Sequence, residues 1–265
     1  MTRVGRALVL HELLERARDR WVVVITLLFA ALSSAVSLYG QSAEGNAAAL
    51  TGPSLVTLAS LLVPLVALVL GHDAIVGESE RNTLGLLLSL PVSRFEVVVA
   101  KFMGRGVALC VAVFLGLFAA MMASGEGEAS VLSILIGPTL LLGLTFVSLG
   151  VFISSVTSRQ ITAASLVVVT WFLFVFFYDL GLLGLLVVTD GAVSQETIAS
   201  LVVGNPAGLY RIQLMEQLAG PEVLEGLGLS SSLPSRGQSA AIWAAWILGP
   251  IGLSGIVLSA KKVLR

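Results

Sequence analysis

Six apolar runs dominate the chain, at about 21–40, 54–75, 96–123, 130–155, 161–189 and 239–260. A hydrocarbon core of roughly 30 Å takes about 20 apolar residues as an α-helix. Inside lipid, each segment must satisfy its own backbone polar groups. The runs therefore predict an all-α polytopic membrane protein with six transmembrane helices, organised as one transmembrane domain over 1–265. Composition agrees: 57% of the 265 residues are hydrophobic and 12% charged, where a soluble domain carries about 25% charge. The first run is not read as a cleaved leader, because Trp21 to Tyr39 is long for one and charges of both signs precede it.

Basic residues orient the spans. Arg3, Arg6, Arg16, Arg18, Arg20, Arg81, Arg94, Lys101, Arg105, Arg159, Lys261, Lys262 and Arg265 fall on one side, and Arg211 and Arg236 on the other, 13 against 2. Cytoplasmic segments carry the Lys/Arg excess. Both termini are expected in the cytoplasm of an inner-membrane, multi-pass protein. A net charge of −1 points to no nucleic-acid partner.

Residues 1–20 mix Val4, Leu8, Leu10, Leu13, Leu14 and Ala17 with charges at imperfect helical spacing. A basic amphipathic helix ahead of the first span is expected to lie on the membrane surface. Pro64, Pro138 and Pro250 lie inside spans, where each removes a backbone donor. The outer segment of about 190–238 is predicted to be helical over its first part and broken at Gly204–Pro206. Its apolar residues suit a lid over the helix ends or a docking surface. No internal repeat argues for a secondary transporter, and no filter-like stretch or charge ring for a channel.

Between the second and third spans runs "GHDAIVGESERNTLGLLLSLPVSRFEVVVAKF", residues 71–102. Glu80 to Leu90 reads as a short helix with Leu84, Leu87 and Leu88 on one face. Leu90 precedes Pro91, which disfavours continuation. Ser93-Arg94-Phe95-Glu96 has the S-x-x-E capping pattern. The result is a stiff elbow, suited either to docking in a protein groove or to resting on lipid.

Within the spans few groups could do chemistry. His72 and Asp73 end the second span, as an ordinary helix-end polar pair or as a gate. Asp179 lies about two thirds of the way across the fifth, where an ionisable group is costly and a candidate for a pathway role or for structural pairing. Met103 and Cys110, with Met121 and Met122, offer soft ligands that suit Cu(I), yet Met and Cys also serve as ordinary core residues. They make weak metal candidates. The chain has no Gly-Lys dipeptide, hence no Walker A lysine to cradle phosphates; it is not expected to be an enzyme.

The elbow resembles the coupling region of type-2 ABC exporter permeases. Glu78, Arg81, Thr83, Leu84, Pro91, Ser93, Arg94 and Lys101 fill the places of that pattern. The resemblance implies that Glu78, Arg81, Thr83, Leu84, Leu87, Leu88, Pro91 and Arg94 couple the chain to an ATPase. "RARDRWVVVITLLFA", "SLLVPLVALVLGHDAIVGE", "FFYDLGLLGLL" and "GNPAGLYRIQLME" are similar to one subgroup, the permeases of nitrous oxide reductase maturation transporters. That resemblance implies a homodimer on two copies of a cytoplasmic ATPase, which binds ATP and Mg, so that no cofactor is bound directly by this chain. It also implies a periplasmic β-helical partner, with Asn205, Pro206, Tyr210 and Arg211 as candidate contacts, and a link to a copper chaperone and the reductase. The expected work is assembly of the copper–sulfur centre, by moving a copper or sulfur species or by transmitting motion. A generic exporter of a drug, lipid or peptide is the alternative, and a mechanical adaptor that moves no solute is another. Gly208 stands where the subgroup commonly has an acid, so no role of an acid carries over.

Overall fold

The computed structural model describes residues 3–17, 23, 26–27, 30–31, 34–35, 48–123, 126–219 and 234–260. Among them there are helices and turns but no strand. In chain order the helices are α1 (Arg3–Ala17), α2 (Ala48–Gly71), α3 (Val76–Glu80), α4 (Leu84–Ser89), α5 (Arg94–Ala123), α6 (Glu126–Val156), α7 (Gln160–Phe172), α8 (Tyr178–Val188), α9 (Gln195–Gly204), α10 (Pro206–Ala219) and α11 (Arg236–Ala260). A π-helical stretch, Leu173–Phe177, joins α7 to α8 into one continuous rod.

Five helical stretches are long and apolar enough to cross a membrane: Gly52–Glu80, Arg94–Met122, Ala129–Val156, Gln160–Val188 and Arg236–Ala260. They correspond to the second through sixth expected spans. Most of the first, 21–40, lies outside the described residues, as do Lys261, Lys262 and Arg265. The end of the molecule holding α3 and α4 is called the elbow end, and the opposite one the hairpin end.

Helix α6 is the central post, packed by α2, α5, α10 and α11. Its buried face includes Leu142, Phe146, Val147 and Val151. Against α2 the two backbones touch: a Cβ on Gly71 would stand 2.8 Å from Gly150 Cα, and one on Gly150 would stand 2.9 Å from Gly71 Cα. Small residues at such crossings allow the close approach that drives packing in lipid, where no hydrophobic force brings helices together.

Proline is accommodated by neighbours. Pro250 has no N–H, so the Trp246 carbonyl one turn earlier loses its helical donor. Ser148 Oγ on α6 lies 3.1 Å from that carbonyl and shares its one proton between it and the nearer Thr145 O, at 2.7 Å. Near Pro64, Trp171 Nε1 donates to Leu61 O at 2.9 Å, tying the rod to α2.

Helix starts follow side-chain rules. Ser93 and Glu96 cap α5 reciprocally: Glu96 N donates to Ser93 Oγ at 3.1 Å, and Ser93 N to Glu96 Oε2 at 3.1 Å. Ser235 and Gln238 do the same for α11. Ser194 accepts from Thr197 N and caps α9. The outer segment breaks where expected, between Gly204 and Pro206, into two successive helices, α9 and α10, together called the hairpin.

The predicted single helix Glu80–Leu90 is corrected to two. Asn82 adopts a left-handed backbone, φ 59°, between α3 and α4. Asn tolerates that region better than most residues. Leu90 is extended, ψ 153°, ahead of Pro91.

Candidate functional site

At the elbow end, five charged side chains from four elements converge. Lys101 and Arg105 stand one turn apart on α5 and are 3% and 1% exposed. Lys101 Nζ binds Glu12 of α1 and Glu78 of α3, the latter at 2.6 Å. Arg105 Nη1 reaches Glu12 Oε2 at 3.4 Å, Nη2 reaches Asp73 Oδ1 at 3.0 Å, and Nε donates to Leu70 O at 2.9 Å. Glu12 is 2% exposed. Two cations face three anions, each placed by a different helix or turn. A buried charge is tolerable only with such partners.

Glu12 belonged to no expected site. It lies one helical turn from buried Leu8, on the α1 face that packs against α5. Leu10 and Leu14, read as part of the same stripe, are exposed. The signal that points to Glu12 is on α5: two cations inside an apolar span without a local acid demand counter-charges from elsewhere.

The elbow is anchored on every side. Ser154 Oγ of α6 accepts from Ile75 N at 2.9 Å and Val76 N at 3.0 Å, capping α3 from another helix. Thr83 Oγ1 donates to the Glu78 carboxylate. Glu80 Oε1 accepts from Gln160 N at 2.8 Å and caps α7. Arg94 Nη1 donates to Leu258 O at 2.7 Å and Ser259 O at 2.9 Å, closing the end of α11. His72 Nδ1 donates to Val69 O within its own helix. Of the two gate candidates there, Asp73 joins the charge cluster and the His72 ring bonds a carbonyl three residues earlier.

The leucine rib lies mostly against the chain itself. Leu84 is buried, and Leu87 and Leu88 are half-buried against the core, so this face turns inward. Leu86 at 71%, Leu90, Arg81 and Pro91 face outward instead. Leu87 and Leu88 pack on buried core residues of the same chain, and Leu87 also borders the open space beside α1. A groove of about 660 Å³ runs between α1 and α4, lined by Leu8, His11, Glu15, Thr83, Leu86 and Leu90 among others.

A second polar constellation sits at the hairpin end. Arg211 Nη2 of α10 pairs with both oxygens of Asp179 in α8, at 2.7 and 2.9 Å, each side chain about one third exposed. Asn205, buried, donates from Nδ2 to Phe174 O at 2.8 Å and accepts from Ala207 N at 3.1 Å. Phe174 lies in the π stretch, whose altered bonding leaves carbonyls open to outside donors. Tyr178 Oη donates to Leu201 O at 2.6 Å. Tyr210 is buried and bonded to Thr139 Oγ1 at 3.1 Å. Asn205 and Tyr210 thus tie the hairpin to the spans, Pro206 is buried, and Asp179 is paired. A Cβ on Gly208 would stand 2.2 Å from Val202 O. The hairpin closes so tightly that no acid fits at 208.

Met103 is 40% exposed on α5, and Cys110 is a part-buried free thiol. Among the described residues, the group of His, Cys, Asp and Glu side chains close enough to hold a metal is His11, Glu12 and Glu15, which does not include Cys110. Glu12 is already bonded to two cations.

Comparison with known proteins gives one answer. The family described as "ABC-2 family transporter protein" matches residues 6–263. A protein of Pseudomonas aeruginosa, "Probable ABC transporter permease protein NosY", is 36% identical over 249 residues, 89% of this chain and 90% of that protein. One of Stutzerimonas stutzeri with the same name is 36% identical over 96% of this chain and 95% of its own length. Apolar spans, a braced elbow between two of them and matches that run almost end to end concur: the chain is a multi-pass membrane permease belonging to the ABC-2 transporter family.

Proposed function

We propose that this chain is the permease of a transporter that supports assembly of the copper–sulfur centre of nitrous oxide reductase. What carries the reading is the 36% identity to proteins named NosY over nearly the whole chain. An ABC-2 permease works with an ATPase. The elbow end, with its excess of basic residues, faces the cytoplasm of the inner membrane and seats that ATPase. Leu86, Leu90 and Arg81 offer the exposed contacts, and the groove beside α1 offers the recess. Leu84, Leu87 and Leu88 act by holding the elbow in place. Two chains pair, and the fifth span supplies apolar surface for it: Phe172, Phe176, Leu180 and Leu183 are exposed. The hairpin end receives a periplasmic partner.

Co-purification is the direct test. A tagged chain expressed with its neighbours should bring down an ATPase from the elbow side. If none binds wild-type chain, the reading fails. In a strain lacking this chain, the reductase should accumulate without its copper–sulfur absorption bands. Normal bands would refute the maturation role and leave a generic exporter of a drug, lipid or peptide.

A second reading, an adaptor that moves no solute, has its own support. The fifth span is bonded to the elbow at one end and to the hairpin at the other. Purified complex in liposomes separates the two. ATP-dependent uptake of copper or sulfur species means transport. Partner remodelling without uptake means adaptor action.

A further inference from the structure

The fifth span differs from its neighbours in how it is held. Only 11% of its most apolar stretch is buried, against 56% in the span that begins at Gly52. It is fixed instead by a few directed bonds. Trp171 ties its middle to α2. Tyr178, Asn205 and the Asp179–Arg211 pair tie its far half to the hairpin. At its start the tie is Glu80.

That tie replaces something the span lacks. The first N–H groups of a helix have no partner inside it, and a carboxylate at the positive end is favourable. Arg159, the residue at the cap position of α7, makes no side-chain bond to it, although its backbone is extended as a cap requires, φ −130° and ψ 136°. Glu80 supplies the acceptor from the end of α3, 80 residues away in sequence. The start of α3 is pinned to α6 through Ser154. A displacement of the elbow therefore has a bonded route into a rod that packs little against the other helices of its own chain.

We propose that Glu80 is the positioning residue through which movement of the elbow reaches the fifth span and, through that rod, the hairpin. This rests on the reading that an ATPase drives the elbow. The test uses full-length chain co-purified with its ATPase, with spin labels on Val188→Cys and Gly237→Cys in a Cys110→Ala background and unlabelled chain as diluent. Val188 is 84% exposed at the end of the rod, and a side chain at 237 meets open space.

Trapping with Mg-ATP and vanadate shifts the distance distribution in the parent. Glu80→Gln, which keeps an acceptor oxygen, retains the shift. Glu80→Ala loses it while the ATPase still binds and hydrolyses ATP. The deciding variant is Glu80→Ala with Arg159→Ser. The serine caps α7 locally but leaves the elbow unlinked, so the shift stays lost. A shift restored by that serine overturns the proposal, since Glu80 would then be only a cap. A full shift in Glu80→Ala overturns it as well. A parent that binds ATPase yet shows no shift overturns the whole driven-elbow reading, a distinct result.

Discussion

Removing Lys101 should cost the protein more than any surface charge. Its amine is 3% exposed and holds Glu12 and Glu78 together. In Lys101→Met, Glu78 at 23% exposure can recruit water and keeps Thr83. Among the described residues, Glu12, 2% exposed, is left with the long 3.4 Å contact to Arg105. Breaking a buried pair by deleting one partner costs about 3–5 kcal/mol. The surviving Arg105 contact places this case near the lower end, about 3 kcal/mol, or roughly two decades in the folding equilibrium at about 1.4 kcal/mol each. The paired variant Glu12→Leu with Lys101→Met removes both charges and leaves the cluster at the same net −1, with one cation and two anions from the original two and three. It should return to within about 1 kcal/mol of the parent, since apolar replacement of a buried pair is often neutral. Equilibrium unfolding in mixed micelles, followed by tryptophan fluorescence, measures all four corners of the cycle. A Lys101→Met loss under about 0.5 kcal/mol, or a double variant no better than the single, would refute the view that the cluster's charges are buried and interdependent.

Other substitutions have definite expectations. Gly71→Ala puts a methyl 2.8 Å from the α6 backbone and should destabilise by about 1–3 kcal/mol, whereas Gly137→Ala, with nothing within 4 Å, should be silent in the same unfolding assay. Ser148→Ala removes a hydroxyl proton shared between Thr145 O and the Trp246 carbonyl and should cost about 0.5–1.5 kcal/mol, while adding Pro250→Ala restores a backbone donor to Trp246 and recovers part of it. Asp179→Asn should loosen the hairpin, seen as faster proteolysis of 190–219, and the exchange Asp179→Arg with Arg211→Asp should restore protection. If Asp179→Asn also leaves reductase maturation intact, the aspartate has no pathway role.

The sequence reading and the structure diverge at identifiable points. Spans two to six, the stop at Leu90–Pro91, the Ser93–Glu96 cap and the hairpin break at Gly204–Pro206 were all legible, because each is set by hydropathy or by residues within a few positions. The inward turn of Leu84, Leu87 and Leu88 was not. An apolar helix face says that something covers it, never whether the cover is a partner or the chain itself. Glu12 looked like one of several surface acids on α1, and only the third span's cations identify it as buried. The Asp179–Arg211 pair is 32 residues apart. It depends on how far the hairpin reaches along α8, which no local pattern encodes.

The π stretch at Leu173–Phe177 can also be read as an insertion. One extra residue is stored in the rod, and each residue of an α-helix turns the chain by about 100°. Were the stretch to tighten to α-helix with every residue kept, everything beyond it would swing by about that angle, whereas deleting one of the five residues would let it close to α-helix with the far half of the rod still in register. In the tightened rod Asp179 and Tyr178 would face away from Arg211 and Leu201, with no residue changed at all. The register of the span, as much as the identity of its aspartate, decides what the hairpin can hold.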